Sequence, residues 1–555
     1  MIFPYTLRRP KTLPRSKPTS WNSCCLKDFI SIHKVMTSKT LLLILLVMGV
    51  SCFLFAKRPD ILLIMSDDMG YSDLGCFGGE IRTPNLDSLA KGGLRFTNFY
   101  SENMCWVSRA SLLTGVYHRT SLKDGHLHPR CPTLPEALRS AGYTTLMSGK
   151  WHLAGKNGKT VYPNDRGFDN FYGILGGAAS FFAPFSLSRN RKNVEQEFRD
   201  DPEYYFTRAI AGNALAFLKQ VPKDKPLFLY LPFTAAHWPL HAPEKDVAKY
   251  KGAFSQGWDK LRKQRLQRMK NLGVVPEGVS LSDRHPKVPA WKDESNKAWQ
   301  QRRMEVYAAQ VTIMDEAIGK VIDALRKAGR FENTLSLFTV DNGGCHVEYG
   351  PTRKGSYLPS QTRDGRPMEP GNLPELMPGS EITYQSYGYG WANLSNTPYR
   401  LFKQYDHEGG IHTPMIAHWP KGILGKGKTV DTLSHLVDLM PTILDATKVV
   451  PPNTSDGKPR IKWDGRSLLP SLQGKKQPDP AILFFNHAKG RALRSGKWKL
   501  VFNRDNGKKA NWELYDLAND PNEINDLAKG NPKQVEALVK IWEAQEKALV
   551  SRGKD

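Results

Sequence analysis

The chain has 555 residues, of which 79 are lysine or arginine and 54 are aspartate or glutamate, so its formal net charge at pH 7 is +25. This length excludes a single minimal core and predicts one large α/β domain with a smaller satellite domain. An electropositive surface suits polyanions such as nucleic acid or a sulfated polysaccharide, although the same charge can serve solubility alone. The seven cysteines are too few for a disulfide framework, because three of them precede residue 57.

An unbroken apolar run covers residues 41–56 and follows two lysines. It is short for a membrane span, which needs about 20 residues, and is typical of the apolar core of a signal peptide. We therefore expect residues 1–56 to be a leader and the protein to be exported to the periplasm or the extracellular space. Met36 would be a more usual start for such a signal, and no stable membrane insertion is expected unless the leader is retained.

Two carboxylates follow the first predicted strand, an apolar stretch over residues 61–65. Asp67 and Asp68 come directly after it, and Gly70 permits a tight turn. In a parallel α/β sheet, ligands bind beyond the carboxyl ends of the strands. The pair therefore predicts a site for a hard cation, although adjacent acids on a turn are often only solvated.

The stretch CWVSRASLLTG, which begins at Cys105, follows a predicted strand and starts a helix. It places a thiol, Ser108 and Arg109 on the first turn, where free backbone N–H groups favour an anion. Farther along, another predicted strand ends in Lys150 and His152. Taken alone, a small buried cysteine and a lysine in a loop are ordinary structural features.

A helix is predicted over residues 204–219, and the apolar strand after it ends near His237 and His241. Because no cysteine or carboxylate lies at metal-ligand spacing, these histidines are expected to transfer protons or contact an anion rather than bind zinc. Residues 244–300 interrupt the alternation of strands and helices with a basic segment. Composition alone favours a solvated basic helix there, and the alternative is an insertion over the mouth of the site.

A long helix predicted over residues 297–328 leads to a strand over 335–340, which ends in Asp341 and Asn342. Together with the two earlier aspartates they offer only oxygen ligands, which favours calcium, with magnesium as the alternative, over zinc. Residues 346–395 are rich in glycine, proline and tyrosine. Such a composition predicts loops, and we expect them to lie over the pocket.

Four stretches of this sequence resemble motifs of the sulfatase family. The stretch from Cys105 is similar to C-x-P-S-R-x-x-x-L-T-G, and GKWHLAG is similar to G-K-W-H-L-G. NTPYRLFK, which ends in Lys403, is similar to N-x-P-x-R-x-x-K, and EGGIHTP is similar to E-G-G-x-R-x-P. Val107 stands where the family usually has proline, and His412 where it usually has arginine. With the two acidic motifs, the resemblance covers about residues 59–530.

The resemblance implies an alkaline-phosphatase-like fold, an α/β/α sandwich with a smaller C-terminal α+β subdomain. The alternation of strands and helices favours this α/β architecture independently. After the leader, the implied parts are a catalytic domain over residues 57–446 and a subdomain with a small antiparallel sheet and a helix over residues 447–555.

The resemblance also implies the chemistry. In this family the cysteine is oxidised to formylglycine (3-oxoalanine), whose hydrated aldehyde attacks the sulfur of a sulfate ester. The implied metal ligands are Asp67, Asp68, Cys105, Asp341 and Asn342. The implied catalytic residues are Cys105, Arg109, Lys150, His152, His237 and Lys403.

In this scheme Asp341 accepts the proton of the nucleophile. His237, with Lys403, protonates the departing alcohol or phenol. His152 deprotonates the second hydroxyl, so that sulfate is expelled and the aldehyde is restored. Arg109 is one of the groups that balance the negative charge of the sulfate.

Two alternatives are open. A phosphoester hydrolase on the same fold would carry histidine in place of Asn342 and use zinc, and a non-catalytic polyanion-binding protein would result if Val107 prevents modification of Cys105. The main interpretation implies a small-molecule or glycan sulfate ester as substrate. It also implies a formylglycine-generating or sulfatase-maturating enzyme as partner, and no nucleic acid.

Overall fold

The computed structural model describes residues 57–155, 160–352, 355, 357–455, 457–488, 490–503 and 511–554, so the leader expected over residues 1–56 lies outside them. Its strands are β1 (Asp60–Ser66), β2 (Leu94–Phe96), β3 (Phe99–Tyr100), β4 (Leu122–Lys123), β5 (His126–Leu127), β6 (Thr144–Ser148), β7 (Asn170–Ile174), β8 (Leu187–Arg189), β9 (Lys192–Asn193), β10 (Leu227–Pro232), β11 (Thr334–Val340), β12 (Glu369–Pro370), β13 (Thr383–Tyr384), β14 (Met415–His418), β15 (Lys428–Val430), β16 (Ser434–His435), β17 (Thr454–Ser455), β18 (Lys458–Pro459), β19 (Leu483–Phe485), β20 (Ala492–Ser495), β21 (Trp498–Asn503) and β22 (Asn511–Asp516). Its α-helices are α1 (Pro84–Gly92), α2 (Cys105–Thr114), α3 (His118–Ser121), α4 (Leu134–Ser140), α5 (Gln196–Asp200), α6 (Phe206–Leu218), α7 (Glu244–Val247), α8 (Gly257–Asn271), α9 (Lys297–Lys327), α10 (Gly388–Ser395), α11 (Glu408–Ile411), α12 (Leu439–Thr447), α13 (Leu469–Leu472) and α14 (Pro532–Arg552).

The main sheet has ten strands in the order β15-β2-β14-β11-β1-β10-β6-β7-β8-β9. Its centre is parallel, because β1 pairs in parallel with both β10 and β11, and β6 pairs in parallel with β10 and β7. Every residue of β1 is buried. The continuous apolar run over residues 61–65 is typical of a strand covered on both faces.

Helices cover both faces of this sheet. Leu62 and Ile64 of β1 belong to one apolar core, which they share with α1, α6 and the 31-residue helix α9. Ile61 and Leu63 belong to a second core, which they share with α2, α4 and α12. Because alternate side chains of a strand point to opposite faces, the two cores lie on opposite sides of the sheet. The predicted α/β/α sandwich is therefore confirmed.

A four-stranded antiparallel sheet, β19-β20-β21-β22, forms near the C-terminus. Helix α14 packs on it, with the Trp542 ring 5.6 Å from the Phe484 ring. The antiparallel strands and the closing helix expected in this region are present, within a unit that spans Arg58–Asp555. A domain boundary near residue 446 stays a prediction. Among the described helices, we find none with both the length and the apolar character that a membrane span requires.

Helix α8 carries the basic segment, and one of its faces is buried. Arg265 has no exposed surface and pairs with Asp73 at 2.7 Å and with Glu80 at 2.8 Å. Trp258 on the same helix is also buried. The expectation of a merely solvated basic helix is therefore wrong for this face, because its partners come from a distant part of the chain.

Candidate active site

Four parallel strands of the main sheet are followed by polar side chains at one edge. The carboxyl ends of parallel strands lie on the same side of a sheet, so the loops after them converge. The residues placed there are Asp67 and Asp68 after β1, Lys150 and His152 after β6, His237 after β10, and Asp341 and Asn342 after β11. All of these except His152 are buried.

Helix α2 brings the thiol to this edge. Cys105 is its first residue, where the positive end of the helix dipole lies, and is only 3% exposed. One turn later, the Arg109 guanidinium donates to Asp341 Oδ2 at 2.9 Å and to the Lys150 carbonyl at 3.0 Å. The Ser108 hydroxyl donates to the Asp341 carbonyl. The first turns of α2 are thus fixed to the ends of β6 and β11.

Buried basic side chains surround the two adjacent carboxylates. Lys150 Nζ lies 2.5 Å from Asp67 Oδ2. Lys403 Nζ, from the loop after α10, lies 2.6 Å from Asp68 Oδ1, and His237 Nε2 lies 3.4 Å from Asp68 Oδ2. The structure therefore brings together all ten residues that the sequence places in the site.

Several oxygen atoms of this cluster are available to a cation. Among the described residues, no donor is hydrogen-bonded to the buried atoms Asp67 Oδ1, Asp68 Oδ2 and Asn342 Oδ1. Ligand atoms of Asp67, Cys105 and Asp341 lie within 4.8 Å of one another. Buried oxygen lone pairs without donors fit a hard cation such as calcium, since they are left unsatisfied otherwise.

Burial and neighbouring charges together set the protonation states of the side chains in the site. Burial alone would raise the pKa of Asp67, but Lys150, His237 and Arg109 outweigh it and hold that pKa below its usual range. Burial and the charge of Asp67 raise the pKa of Asp341 to about 7. Burial lowers the pKa of His237 to about 4. The imidazole of His237 is therefore neutral at neutral pH.

The thiol and an imidazole are in contact. Cys105 Sγ lies 3.3 Å from His152 Nδ1. Burial raises the pKa of the Cys105 thiol, and burial together with the Lys150 ammonium holds the pKa of His152 well below its usual value. Both groups are therefore neutral, so this contact does not produce a thiolate in the way of a Cys–His nucleophile pair.

Two histidines noted in the sequence do not join the cluster. His241 Nε2 lies 2.5 Å from the Thr383 carbonyl and its Nδ1 3.3 Å from Ser180 Oγ, so both ring nitrogens face neutral groups. His412, which replaces the usual arginine, lies 2.8 Å from Glu408 and stacks on neighbouring aromatic rings. It thus packs and hydrogen-bonds beside the site.

Sequence reasoning missed one side chain of the site. Cys345 is buried, and its thiol lies beside the Asp68 carboxylate and the Lys403 ammonium. The available signal was its position, three residues after Asn342 in the string DNGGC. A buried cysteine is usually a small apolar residue, so the string alone does not show that it faces the cluster.

Comparison with known proteins decides the family. The family model described as Sulfatase matches residues 59–449. The chain belongs to the sulfatase family. The C-terminal part of this sulfatase, residues 399–549, also matches the model described as N-sulphoglucosamine sulphohydrolase, C-terminal. Membership makes the protein a sulfuric ester hydrolase, so the predicted enzyme class is confirmed.

Relatives of this sulfatase extend over most of its length. An uncharacterized sulfatase of Schizosaccharomyces pombe is 34% identical, over 88% of this chain and 93% of its own. An arylsulfatase of Klebsiella aerogenes is 33% identical, over 74% of this chain and 91% of its own. The crystal structure of Ps i-CgsB in complex with k-i-k-neocarrahexaose has a TM-score of 0.60 at 25% identity, covering 88% of this chain and 93% of that one.

Proposed function

We propose that this sulfatase hydrolyses an aryl sulfate or a sulfated carbohydrate by means of a formylglycine formed from Cys105 and a bound calcium ion. The observation that carries the proposal is the convergence of Cys105, three buried carboxylates, the Asn342 amide and three buried cations at one edge of the sheet. Sulfate is a poor electrophile with negative charge spread over its oxygens. An electropositive pocket around a fixed nucleophile addresses both difficulties.

Calcium is proposed because of the ligand set, with magnesium as the alternative. Its ligands would be Asp67, Asp68, Asp341, Asn342 and the modified side chain of residue 105. A bound ion would supply positive charge that polarises the sulfate oxygens and lowers the pKa of a neighbouring hydroxyl. The orphaned oxygens of Asp67 and Asn342 support this ligand set.

Formylglycine would supply hydroxyl oxygens, as a hydrated aldehyde, where the structure has Cys105 Sγ. His152 Nδ1, 3.3 Å from that atom and neutral, is placed to take a proton from a hydroxyl there. The Asp341 carboxylate lies beside the same atom and is the proposed acceptor of the nucleophile's proton. The two proton acceptors are thus separate groups, one for each of the two proposed steps.

The remaining cations are assigned to charge and to the leaving group. The Arg109 guanidinium and the Lys150 ammonium, each buried against Asp67, would balance the charge of the sulfate oxygens. His237 and Lys403 flank Asp68 and would donate a proton to the departing oxygen. Lys403 is the charged member of this pair, since the pKa of His237 is low.

The substrate class is proposed from the relatives. Besides the arylsulfatase of Klebsiella aerogenes, they include an N-acetylgalactosamine-6-sulfatase of Canis lupus familiaris at 27% identity. Another solved structure, at 21% identity, holds its substrate D-glucosamine-2-N,6-O-disulfate. We also propose export after removal of the leader, and maturation by a formylglycine-generating or sulfatase-maturating enzyme.

Turnover of 4-nitrophenyl sulfate tests the proposal. The protein, produced together with a maturating enzyme, is expected to release nitrophenol, to lose activity in a calcium chelator and to regain it with calcium. Activity on a phosphate ester with zinc that survives Cys105→Ala would instead support a phosphoester hydrolase on this fold. A protein without either activity and with an unmodified thiol would support the polyanion-binding alternative.

A further inference from the structure

The edge of the main sheet opposite the candidate active site is a surface of short loops. Parallel strands begin on the same side of a sheet, so the segments before β1, β6, β10 and β11 meet there. Arg330, before β11, donates to the Lys225 carbonyl before β10 at 3.2 Å and pairs with Asp60 of β1 at 3.0 Å. Arg58, before β1, donates to the Ala141 carbonyl before β6 at 2.9 Å. These contacts join the segments into one surface.

Two further segments extend this surface to the end of the sheet. Strand β14 runs antiparallel to β11 and ends here, where the Lys421 amide donates to the Glu332 carbonyl at 3.2 Å. Strand β15 begins here, where the Gly427 amide donates to the Gly93 carbonyl at 2.6 Å. We call the surface the amino edge and define it by residues 57–59, 141–143, 219–226, 328–333, 419–428 and 448–450. Strand β1 has seven residues, so this edge lies roughly 20 Å from the candidate active site.

The amino edge is strongly basic. Its six ranges carry nine exposed lysines or arginines and two exposed carboxylates, Asp224 and Glu332. Four of the lysines pair with no carboxylate of the part of the chain that the structure describes, namely Lys225, Lys421, Lys426 and Lys428. Charges that have no partner within the protein are available to an anionic surface.

Local stabilisation explains only part of this charge. Cations such as Arg326 and Lys327 of α9, or Lys448 after α12, face the negative ends of helix dipoles. Lys426 and Lys428 flank the start of the edge strand β15, where lysine also deters pairing with another chain. Neither reason calls for exposed apolar side chains in the same place.

The two most exposed large apolar side chains of the described residues nevertheless lie on this edge. Val450 is 86% exposed and Leu424 is 64% exposed. Leu424 and Lys428 line one shallow cavity between β14 and β15. Val450 follows α12, whose last residue, Thr447, lies beside the Tyr143 hydroxyl just before β6. Apolar side chains among cations gain nothing from a hydrated polyanion, but they fit a surface of charged headgroups over hydrocarbon.

The chain also enters the described body at the amino edge. Lys57 and Arg58 precede β1, and the apolar run of residues 41–56 comes directly before them in the sequence. A run of this kind directs a chain to a membrane during export. The segment that meets the membrane is thus joined covalently to the basic edge.

We propose that the amino edge docks on an anionic lipid membrane. The lysines contact the headgroups, and Leu424 and Val450 enter the interface between headgroups and hydrocarbon. This is peripheral binding of the folded surface and requires no helix that spans the bilayer. The candidate active site, at the opposite edge, then faces away from the membrane. The inference does not depend on the proposed function, because no catalytic group takes part in it.

Cosedimentation with lipid vesicles tests the docking surface. Arg58–Asp555 forms one compact unit that holds both cores of the main sheet, so it is used without the apolar run. The vesicles are phosphatidylcholine alone, or phosphatidylcholine with phosphatidylglycerol at about 7:3. We expect at least tenfold tighter binding to the anionic vesicles, weakening as salt is raised. Lys426→Glu with Lys428→Glu should weaken this binding at least tenfold, and Leu424→Ser with Val450→Ser about fivefold.

A matched pair of substitutions controls for net charge. Lys260→Glu with Lys263→Glu changes the charge equally on the exposed face of α8. This helix contacts the loop after β1, where Arg268 donates to the Gly78 carbonyl, and so lies toward the opposite edge. Its vesicle binding should stay within about twofold of the wild type. Thermal unfolding should give the same Tm for all three pairs, because every substituted side chain is exposed.

Three outcomes would overturn the proposal. The first is equal binding to the two kinds of vesicle, and the second is an equal loss in the two charge-reversal pairs. The third is binding to immobilised heparin, lost in Lys426→Glu with Lys428→Glu, without binding to anionic vesicles, which would assign the edge to a polysaccharide. Failure to hydrolyse 4-nitrophenyl sulfate would count against the proposed function and leave the vesicle result standing.

Discussion

Lys403 Nζ lies 2.6 Å from Asp68 Oδ1, although 335 residues separate them along the chain. Asp68 follows the central strand β1, and Lys403 arrives on the loop after α10. Both side chains are buried. The contact shows that this loop is folded into the candidate active site rather than lying over the surface.

Lys403→Met keeps most of the side-chain volume and removes the charge. Because the ammonium is proposed to assist proton donation to the leaving group, we expect kcat/KM for 4-nitrophenyl sulfate to fall by about 100-fold or more. Steady-state kinetics checks this, with Lys421→Met at an exposed position as the control. Activity within threefold of the wild type would remove Lys403 from the catalytic set.

Calcium is expected to stabilise the fold through the oxygens of the site. A ligand that binds only the native state adds about 2.7 kcal/mol at 100 times its Kd. The Tm of chelator-treated protein should therefore rise with calcium and saturate. Asn342→Ala removes one of the orphaned oxygens, and we expect the titration midpoint to move to at least tenfold higher calcium. Identical Tm values with chelator and with calcium would contradict the proposed ligand set.

The buried Lys499 is expected to contribute strongly to stability. It has no exposed surface and pairs with Glu408 at 2.5 Å and Glu523 at 2.9 Å, which joins β21 to the start of α11 and to the loop that carries Glu523. Lys499→Met leaves two buried carboxylates without this partner, so urea unfolding should show a loss of about 3–5 kcal/mol. Lys497→Met, in the turn just before β21, breaks a half-exposed pair with Asp516 and should lose less than about 1 kcal/mol. Equal losses in the two variants would refute the assignment.

His241 is expected to lower stability in acid. Burial lowers its pKa from 6.5 to about 4. Between these pH values the unfolded chain takes up a proton that the folded protein does not, so the free energy of unfolding falls as pH decreases, by roughly 3 kcal/mol. Denaturant unfolding of wild type and His241→Gln from pH 8 to pH 4 should give parallel curves above pH 6.5 and a shallower decline for the variant below it. Parallel curves throughout would mean that His241 does not carry this effect.

The sequence predicts the site because its signals are local. An apolar strand followed by Asp67 and Asp68, and a second followed by Asp341 and Asn342, places all four at one edge of a parallel sheet. The end of a buried strand can be recognised where an apolar run gives way to polar residues, and the loops that carry these four residues are short. Lys403 is predicted only from the resemblance to the family motif N-x-P-x-R-x-x-K, because it does not follow a predicted strand.

Long-range partners explain what the sequence does not predict. Arg265 is buried because Asp73 and Glu80, almost two hundred residues earlier, meet it. His412 is held by Glu408 and aromatic rings that only the fold assembles. The predicted strand before Cys105 is two short strands, β2 and β3, which pair with different partners. Each of these features depends on contacts between segments that composition and periodicity do not relate.

The mass of the peptide that contains Cys105 tests the central claim most directly. In protein from its native host, intact-mass and peptide mass spectrometry should show this residue lighter by about 18 Da than an unmodified cysteine, as conversion of a thiol to an aldehyde requires. A peptide with the unmodified mass, in protein that hydrolyses sulfate esters, would contradict the proposed nucleophile.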